Sequence, residues 1–201
     1  MKILIPEEVR FFLVVGYFLK QMQRLHMGLY VAQTGLYLKL LLIHFRPVKM
    51  REKRSMVLIS IFLFMQVGQE AEMKKLPSEV RRIIVSDESL KNGSSAFLLA
   101  AEPQACGIFN IKLMKCEGLL GAFEIAAIAQ ASDVKLIWGC YDEDIVSISP
   151  ALHAAFACPA TCYLDLDGSL QLTEDTVTGG FAHVNGELSP LNVPGFGCKE
   201  I

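Results

Sequence analysis

Ile108-Phe109-Asn110-Ile111-Lys112-Leu113, then residues 118–131, then Lys135-Leu136-Ile137-Trp138-Gly139, is the stretch that decides the fold. It is a short apolar run, a helix-length run rich in Ala, Leu and Ile, and a second short apolar run. Short buried strands alternating with helices of ten to fifteen residues are the mark of βα units and a parallel sheet.

The same unit recurs on both sides. Ile83-Ile84-Val85 reads as the strand before it and residues 161–166 as the strand after it. Residues 97–101 lie in an apolar helix beginning near Ser94 or Ser95, and residues 148–158 form another helix. Ile84 to Ile111 is 27 residues, Ile111 to Ile137 is 26, and Ile137 to Leu164 is 27. A steady period of this size predicts repeated units of a barrel or an open α/β sheet.

Each unit carries its polar residues at one place. Asp87 follows the first strand and Lys112 ends the second. Asp142 and Glu143 follow the third, and Asp165 and Asp167 end the fourth. Strand C-termini of a parallel barrel open on one face, which carries the chemistry. These residues are therefore expected to converge on one mouth. Clustered carboxylates suit a hard, oxygen-liking cation such as Mg²⁺. A lysine beside such a cation loses its proton more readily and can serve as a base. Base and cation together can remove a proton next to a carboxylate, the cation stabilising the enolate-like charge.

The remainder of the chain has another character. The 201 residues are 52% hydrophobic and 20% charged with net charge −2, which excludes disorder and a strongly basic nucleic-acid binder. That average conceals a split. Residues 1–86 hold 14 Lys/Arg and 6 Asp/Glu, whereas residues 87–201 hold 5 and 15. All six cysteines lie in the acidic part, and no Asp precedes Asp87. The apolar runs at 11–19, 36–45 and 56–67 are too short to cross a membrane, which takes about 20 residues. Glu7 and Glu8 spoil a signal peptide. Residues 1–68 are expected to be an apolar, basic, helical leader, and membrane contact through Lys49, Arg51, Lys53 and Arg54 is the weaker reading beside a solvated linker.

Smaller signals are structural. Cys158 and Cys162 form a CxxxC with His153 upstream, but structural zinc needs four convergent ligands, so reduced thiols in a cytoplasmic protein and a packed histidine are expected. Asn185-Gly186 reads as a tight hairpin turn. There is no phosphate loop or nucleophile elbow.

Taken in order, Ser86-Asp87-Glu88-Ser89, Asn110-Ile111-Lys112-Leu113-Met114-Lys115, Gly139-Cys140-Tyr141-Asp142-Glu143 and Asp165-Leu166-Asp167-Gly168 resemble the enolase superfamily in its muconate-lactonising branch. The set looks most like dipeptide epimerases of the L-Ala-D/L-Glu type, over about residues 70–201. The resemblance implies an α/β fold, the C-terminal half of a (β/α) TIM-type barrel, over 69–201. It implies a Mg²⁺-dependent isomerase acting on a dipeptide by α-proton abstraction. It makes Asp87 a metal-binding carboxylate, Lys112 the catalytic acid/base and Lys115 a supporting lysine. Cys140 and Asp142 become substrate-lining residues. Asp165 and Asp167 become the pair holding the dipeptide ammonium, which argues against a muconate cycloisomerase.

Two departures are visible. Cys116-Glu117-Gly118 stands where the family has a residue followed by two glycines, and the loop after the third strand reads Tyr-Asp-Glu-Asp rather than Met-Leu-Glu-Ser. A full member also carries a Lys-x-Lys, an Asp and a Glu on earlier strands, for which residues 1–82 offer neither the length nor an Asp. The expectation is a partial, inactive copy that self-associates, with a non-catalytic remnant as the alternative. A frame change or mis-assigned start in the gene would account for the leader.

Overall fold

The computed structural model describes residues 39–42, 61–64, 67–184 and 187–201. In chain order, strands β1 (Lys39–Leu42) and β2 (Ile61–Phe64) come first. Short helices α1 (Glu70–Met73) and α2 (Ser78–Arg81) lead into β3 (Ile84–Ser86). The repeat then runs α3 (Gly93–Ala100), β4 (Ile108–Ile111), α4 (Gly118–Ala131), β5 (Lys135–Gly139), α5 (Ile145–Ala157) and β6 (Thr161–Asp165). A 3₁₀ turn at Gly168–Gln171 precedes β7 (Val177–Gly179), β8 (Phe181–Val184), β9 (Glu187–Pro190) and β10 (Cys198–Glu200).

The first six strands form one sheet in sequence order. β2 to β6 are parallel throughout, as the period of the sequence requires, and β1 is antiparallel to β2. Every residue of β3 and β4 is buried, the pattern of strands covered on both faces. Val85, Ile108 and Ile137 pack together from three adjacent strands, with Tyr163 of β6 against them. The Trp138 indole donates to Thr161 Oγ1 at 3.0 Å, satisfying a buried polar atom across the β5–β6 pair.

The leader departs from expectation. Within residues 1–68 the described segments that pair are strands β1 and β2, not helices. The runs around them have no helical period, and an open edge of β3 offers unpaired backbone groups that a strand can satisfy. β2 takes that edge, Leu63 opposite Ile84 and Phe64 opposite Val85. These strands belong to the compact unit Lys39–Ile201; the other unit, Met1–Leu38, lies outside the described residues.

Helix boundaries shift where caps decide them. α3 begins at Gly93 because Asn92 and Ser95 form a reciprocal capping box, the Asn92 side chain accepting from Ser95 N at 3.0 Å. α5 begins three residues before the sequence reading. Asp144 caps Ser147 N at 3.3 Å, and Asp175 Oδ2 accepts from Ile145 N at 2.9 Å. The C-terminal tail is tied to the same helix: Ser149 Oγ donates to the carbonyls of Gly180, 3.0 Å, and Phe196, 2.7 Å. His153 sets its ring edge-on to Phe196, centroids 5.5 Å apart. Cys106, Cys116, Cys140, Cys158 and Cys198 are free thiols. The turn at Asn185-Gly186 lies outside the described residues; β8 and β9 pair antiparallel on either side of it, Val184 opposite Glu187.

Candidate active site at the strand ends

The parallel register carries the strand-end residues to one edge of the sheet. Asp87 stands one residue past β3, Lys112 one past β4, Cys140 one past β5, and Asp165 is the last residue of β6. Backbone direction alone achieves this, since each strand ends at the same level.

Asp87 is the centre of the cluster. Lys112 Nζ lies 3.2 Å from its Oδ2, and Asn110 Nδ2 donates to the same oxygen at 3.2 Å. Lys115 Nζ pairs with Oδ1 and also donates to the Asp87 backbone carbonyl at 2.7 Å. Glu88 Oε1 stands 3.8 Å from Lys112 and 3.7 Å from Lys115. Burial lowers the Lys115 pKa, and the Asp87 charge works against that.

Asp165 is half-buried behind this group. Burial raises its pKa first and the Asp167 charge adds to it, while Lys112 draws it down. Cys140 Sγ donates to the Asp165 carbonyl at 3.2 Å, and burial pushes its thiol up to about 11, so it stays protonated at neutral pH. Asp142 and Asp167 are exposed. Glu143 is the buried acid of the loop: its carboxylate accepts from Tyr141 N at 2.9 Å and from the Ser147 hydroxyl.

Close packing sets these positions. A Cβ on Gly139 would fall 2.5 Å from Asn110 Oδ1, so glycine there leaves room for the amide that holds Asp87. A Cβ on Gly168 would fall 2.2 Å from the Tyr141 carbonyl, so glycine lets the 3₁₀ turn press against the loop after β5.

The structure thus gathers Asp87, Lys112, Lys115, Cys140 and Asp165, and leaves Asp142 and Asp167 at the rim. The sequence reading gave no role to Asn110, Glu88 or Tyr141. A polar residue inside a wholly apolar strand was the available signal for Asn110. Glu88 and Tyr141 are joined only across the sheet: the Tyr141 hydroxyl lies 3.3 Å from each Glu88 carboxylate oxygen.

Magnesium takes about six oxygen ligands. Among the described residues no three carboxylate, His or Cys side chains converge on a metal position, and both Asp87 oxygens face ammonium groups. The described residues of this chain do not build a magnesium site.

Residues 66–199 match the family described as Enolase C-terminal domain-like. The chain belongs to that family. As an enolase C-terminal domain-like protein it is 54% identical over 130 residues to the L-Lys-D/L-Arg epimerase of Methylococcus capsulatus, 65% of this chain and 36% of that protein. To the L-Ala-D/L-Glu epimerase of Clostridium acetobutylicum it is 33% identical over 129 residues, 64% of this chain and 36% of that protein. The dipeptide epimerase of M. capsulatus solved with Mg and the dipeptide L-Arg-D-Lys superposes with a TM-score of 0.67 at 51% identity, covering 68% of this chain and 39% of that one. The same epimerase with Mg ion gives a TM-score of 0.68 at 50% identity, over 70% and 41% of the two chains. The chain therefore spans a little over a third of the length of the curated relatives it matches. Its parallel α/β sheet is that of the enolase C-terminal barrel domain, and its relatives are racemase/epimerase isomerases acting on dipeptides.

Proposed function

We propose that residues 69–201 carry one side of a dipeptide-epimerase site that accepts cationic dipeptides, with Lys112 as the acid/base group. The observation that carries this reading is the placement of Lys112. Its side chain is 12% exposed, its ammonium fixed at the strand-end mouth by Asp87, with Asp165 near it. A lysine so held can take or return a proton on the face of a substrate α-carbon that it meets, while Asp87 and Asn110 fix its position. Lys115 holds Asp87 through two contacts and acts as its anchor.

Asp165 and Asp167 offer negative charge to the substrate ammonium, and exposed Asp142 offers it to a basic side chain. A dianion such as muconate would meet carboxylates instead, which disfavours the cycloisomerase reading. The basic substrate class also fits the greater identity to the L-Lys-D/L-Arg epimerase than to the L-Ala-D/L-Glu enzyme. It fits the −10 balance of residues 87–201, with 5 Lys/Arg against 15 Asp/Glu.

Epimerisation needs acid/base groups on both faces of the α-carbon. Lys112 and Lys115 both attach to Asp87, on one side. One carboxylate carrying two ammonium groups does not hold a divalent cation, so Mg²⁺ is expected to bind only where other carboxylates join Asp87. The 201-residue chain alone is accordingly read as incomplete for the reaction. A cytoplasmic, reducing setting suits the free thiols of Cys106, Cys116, Cys140, Cys158 and Cys198. Among the described residues no helix is long and apolar enough to cross a membrane.

The test is binding and epimerisation on the purified chain. L-Lys-L-Arg is expected to bind roughly tenfold tighter than L-Ala-L-Glu, about 1.4 kcal/mol. The Asp142→Asn variant should lose that preference. With Mg²⁺ present no epimer of L-Lys-L-Arg should form. Equal binding of the two dipeptides would overturn the substrate class, and epimerisation by the chain alone would overturn its incompleteness.

A further inference from the structure

Tyr141 touches two charged groups of the site, and neither the motif reading nor the proposed reaction uses it. It lies on the loop after β5, beside Cys140. Lys112 Nζ stands 4.3 Å from its ring centroid, inside the range at which an aromatic face attracts an ammonium. Its hydroxyl reaches both oxygens of Glu88 at 3.3 Å. One side chain therefore links the ends of β3, β4 and β5.

The ring does not swing freely. The Tyr141 N–H is bonded to Glu143, whose other oxygen accepts from Ser147 in the first turn of α5. The Tyr141 carbonyl lies against Gly168, so closely that a Cβ there would collide with it. The backbone is held from both sides, and the Glu88 hydrogen bond holds the far end of the ring.

We propose that Tyr141 is a positioning residue for Lys112. Its ring face gives the lysine a third hold besides Asp87 and Glu88, and the hydroxyl–Glu88 bond keeps the ring over the ammonium. A lysine stem has four rotatable bonds, and ion pairs alone leave the ammonium several ways to satisfy Asp87. A flat, electron-rich face on its other side restricts that choice. The proposal rests on the reading of Lys112 as the acid/base group and adds the residue that aims it. An aliphatic side chain at 141 supplies neither the face nor the hydroxyl.

The test reads Lys112 directly, without substrate. The chain is labelled with [¹³Cε]lysine, and the Lys112 signal is identified by its loss in Lys112→Arg. A methylene under an aromatic face resonates upfield, so the Lys112 Hε signal is expected upfield of the other lysines. Tyr141→Leu should return it to the ordinary lysine position. Tyr141→Phe, which keeps the ring and loses the Glu88 bond, should retain part of the shift. Tyr141 is 43% exposed, and unchanged Trp138 fluorescence serves to confirm that each variant is folded. A wild-type signal at the ordinary position, or a shift that survives in Tyr141→Leu, overturns the proposal. Because no turnover is measured, failure of Lys112 as acid/base would leave this result standing, and failure here would leave the acid/base role standing.

Discussion

At the scale of single residues, the site is a balance of charge held out of water. Asp87 carries two ammonium groups and an amide, so a carboxylate that would be costly to bury alone is satisfied on every side. Asp165 is treated differently. Burial and the neighbouring Asp167 raise its pKa above the ordinary aspartate value of 3.8, and Lys112 only partly offsets them. A carboxyl raised on folding lends stability below its unfolded pKa and loses that contribution as pH rises through the folded value. At neutral pH the ionised Asp165 therefore weakens the fold. Asp165→Asn is expected to melt higher than wild type at pH 7, with the advantage shrinking as pH falls toward 4 and below. Thermal unfolding over a pH series measures this. A variant that melts lower at pH 7 would mean that the attraction to Lys112 outweighs burial. The exposed pair Asp142 and Asp167 was as legible in the sequence as Asp165, but exposure is not written in a motif, and only the structure separates rim from interior.

At the scale of elements, caps and packing decide where helices begin. The start of α4 explains one of the sequence departures. Glu117 occupies its N-cap with φ of 64°, the left-handed region, and its side chain makes no capping bond. A glycine adopts that conformation without the Cβ clash, which costs other residues about 1–2 kcal/mol. Freeing the unfolded chain returns part of that gain, roughly 0.5–1 kcal/mol. Glu117→Gly is expected to stabilise the protein by about 0.5–1 kcal/mol. Urea unfolding should then show a higher midpoint at unchanged slope. A lower midpoint would mean that Glu117 makes a compensating interaction in the folded state. The early start of α5 has a similar origin. Pro150 lies inside the helix. Asp144 and Asp175, 31 residues apart in sequence, together satisfy its first N–H groups. That second partner comes from the far side of β6, out of reach of any local reading.

At the scale of the whole molecule, the outer helices leave an apolar surface. α3 exposes Phe97 and Leu98, at 65% and 66%, and α4 exposes Leu120, at 81%, and Phe123. The other face of α4 buries Ala122, Ile125, Ala126 and Ala129 at helical spacing, so the exposed side is a second apolar face rather than a misplaced core. Large apolar side chains exposed on two helices that pack together favour association. The purified chain is expected to show a mass above one protomer by light scattering, rising with concentration. The double substitution Phe97→Ser with Leu120→Glu should shift it toward the monomer. A single protomer at all concentrations would mean that this face is tolerated in water.

The sequence by itself determined the parallel α/β architecture, because short apolar strands at a spacing of 26–27 residues admit few other arrangements. It determined the level at which Asp87, Lys112, Cys140 and Asp165 stand, because strands of one direction place their ends together. Tertiary structure decided the rest. β2 became the partner of β3 because an open strand edge takes whichever extended segment reaches it. The fork of Lys112 and Lys115 on Asp87, and the bridge from Tyr141 to Glu88 across 53 residues of chain, arise where side chains from separate strands are packed within bonding distance. Spacing along a chain sets which strand end a residue occupies; the distance between two charges is set only when the strands are laid side by side.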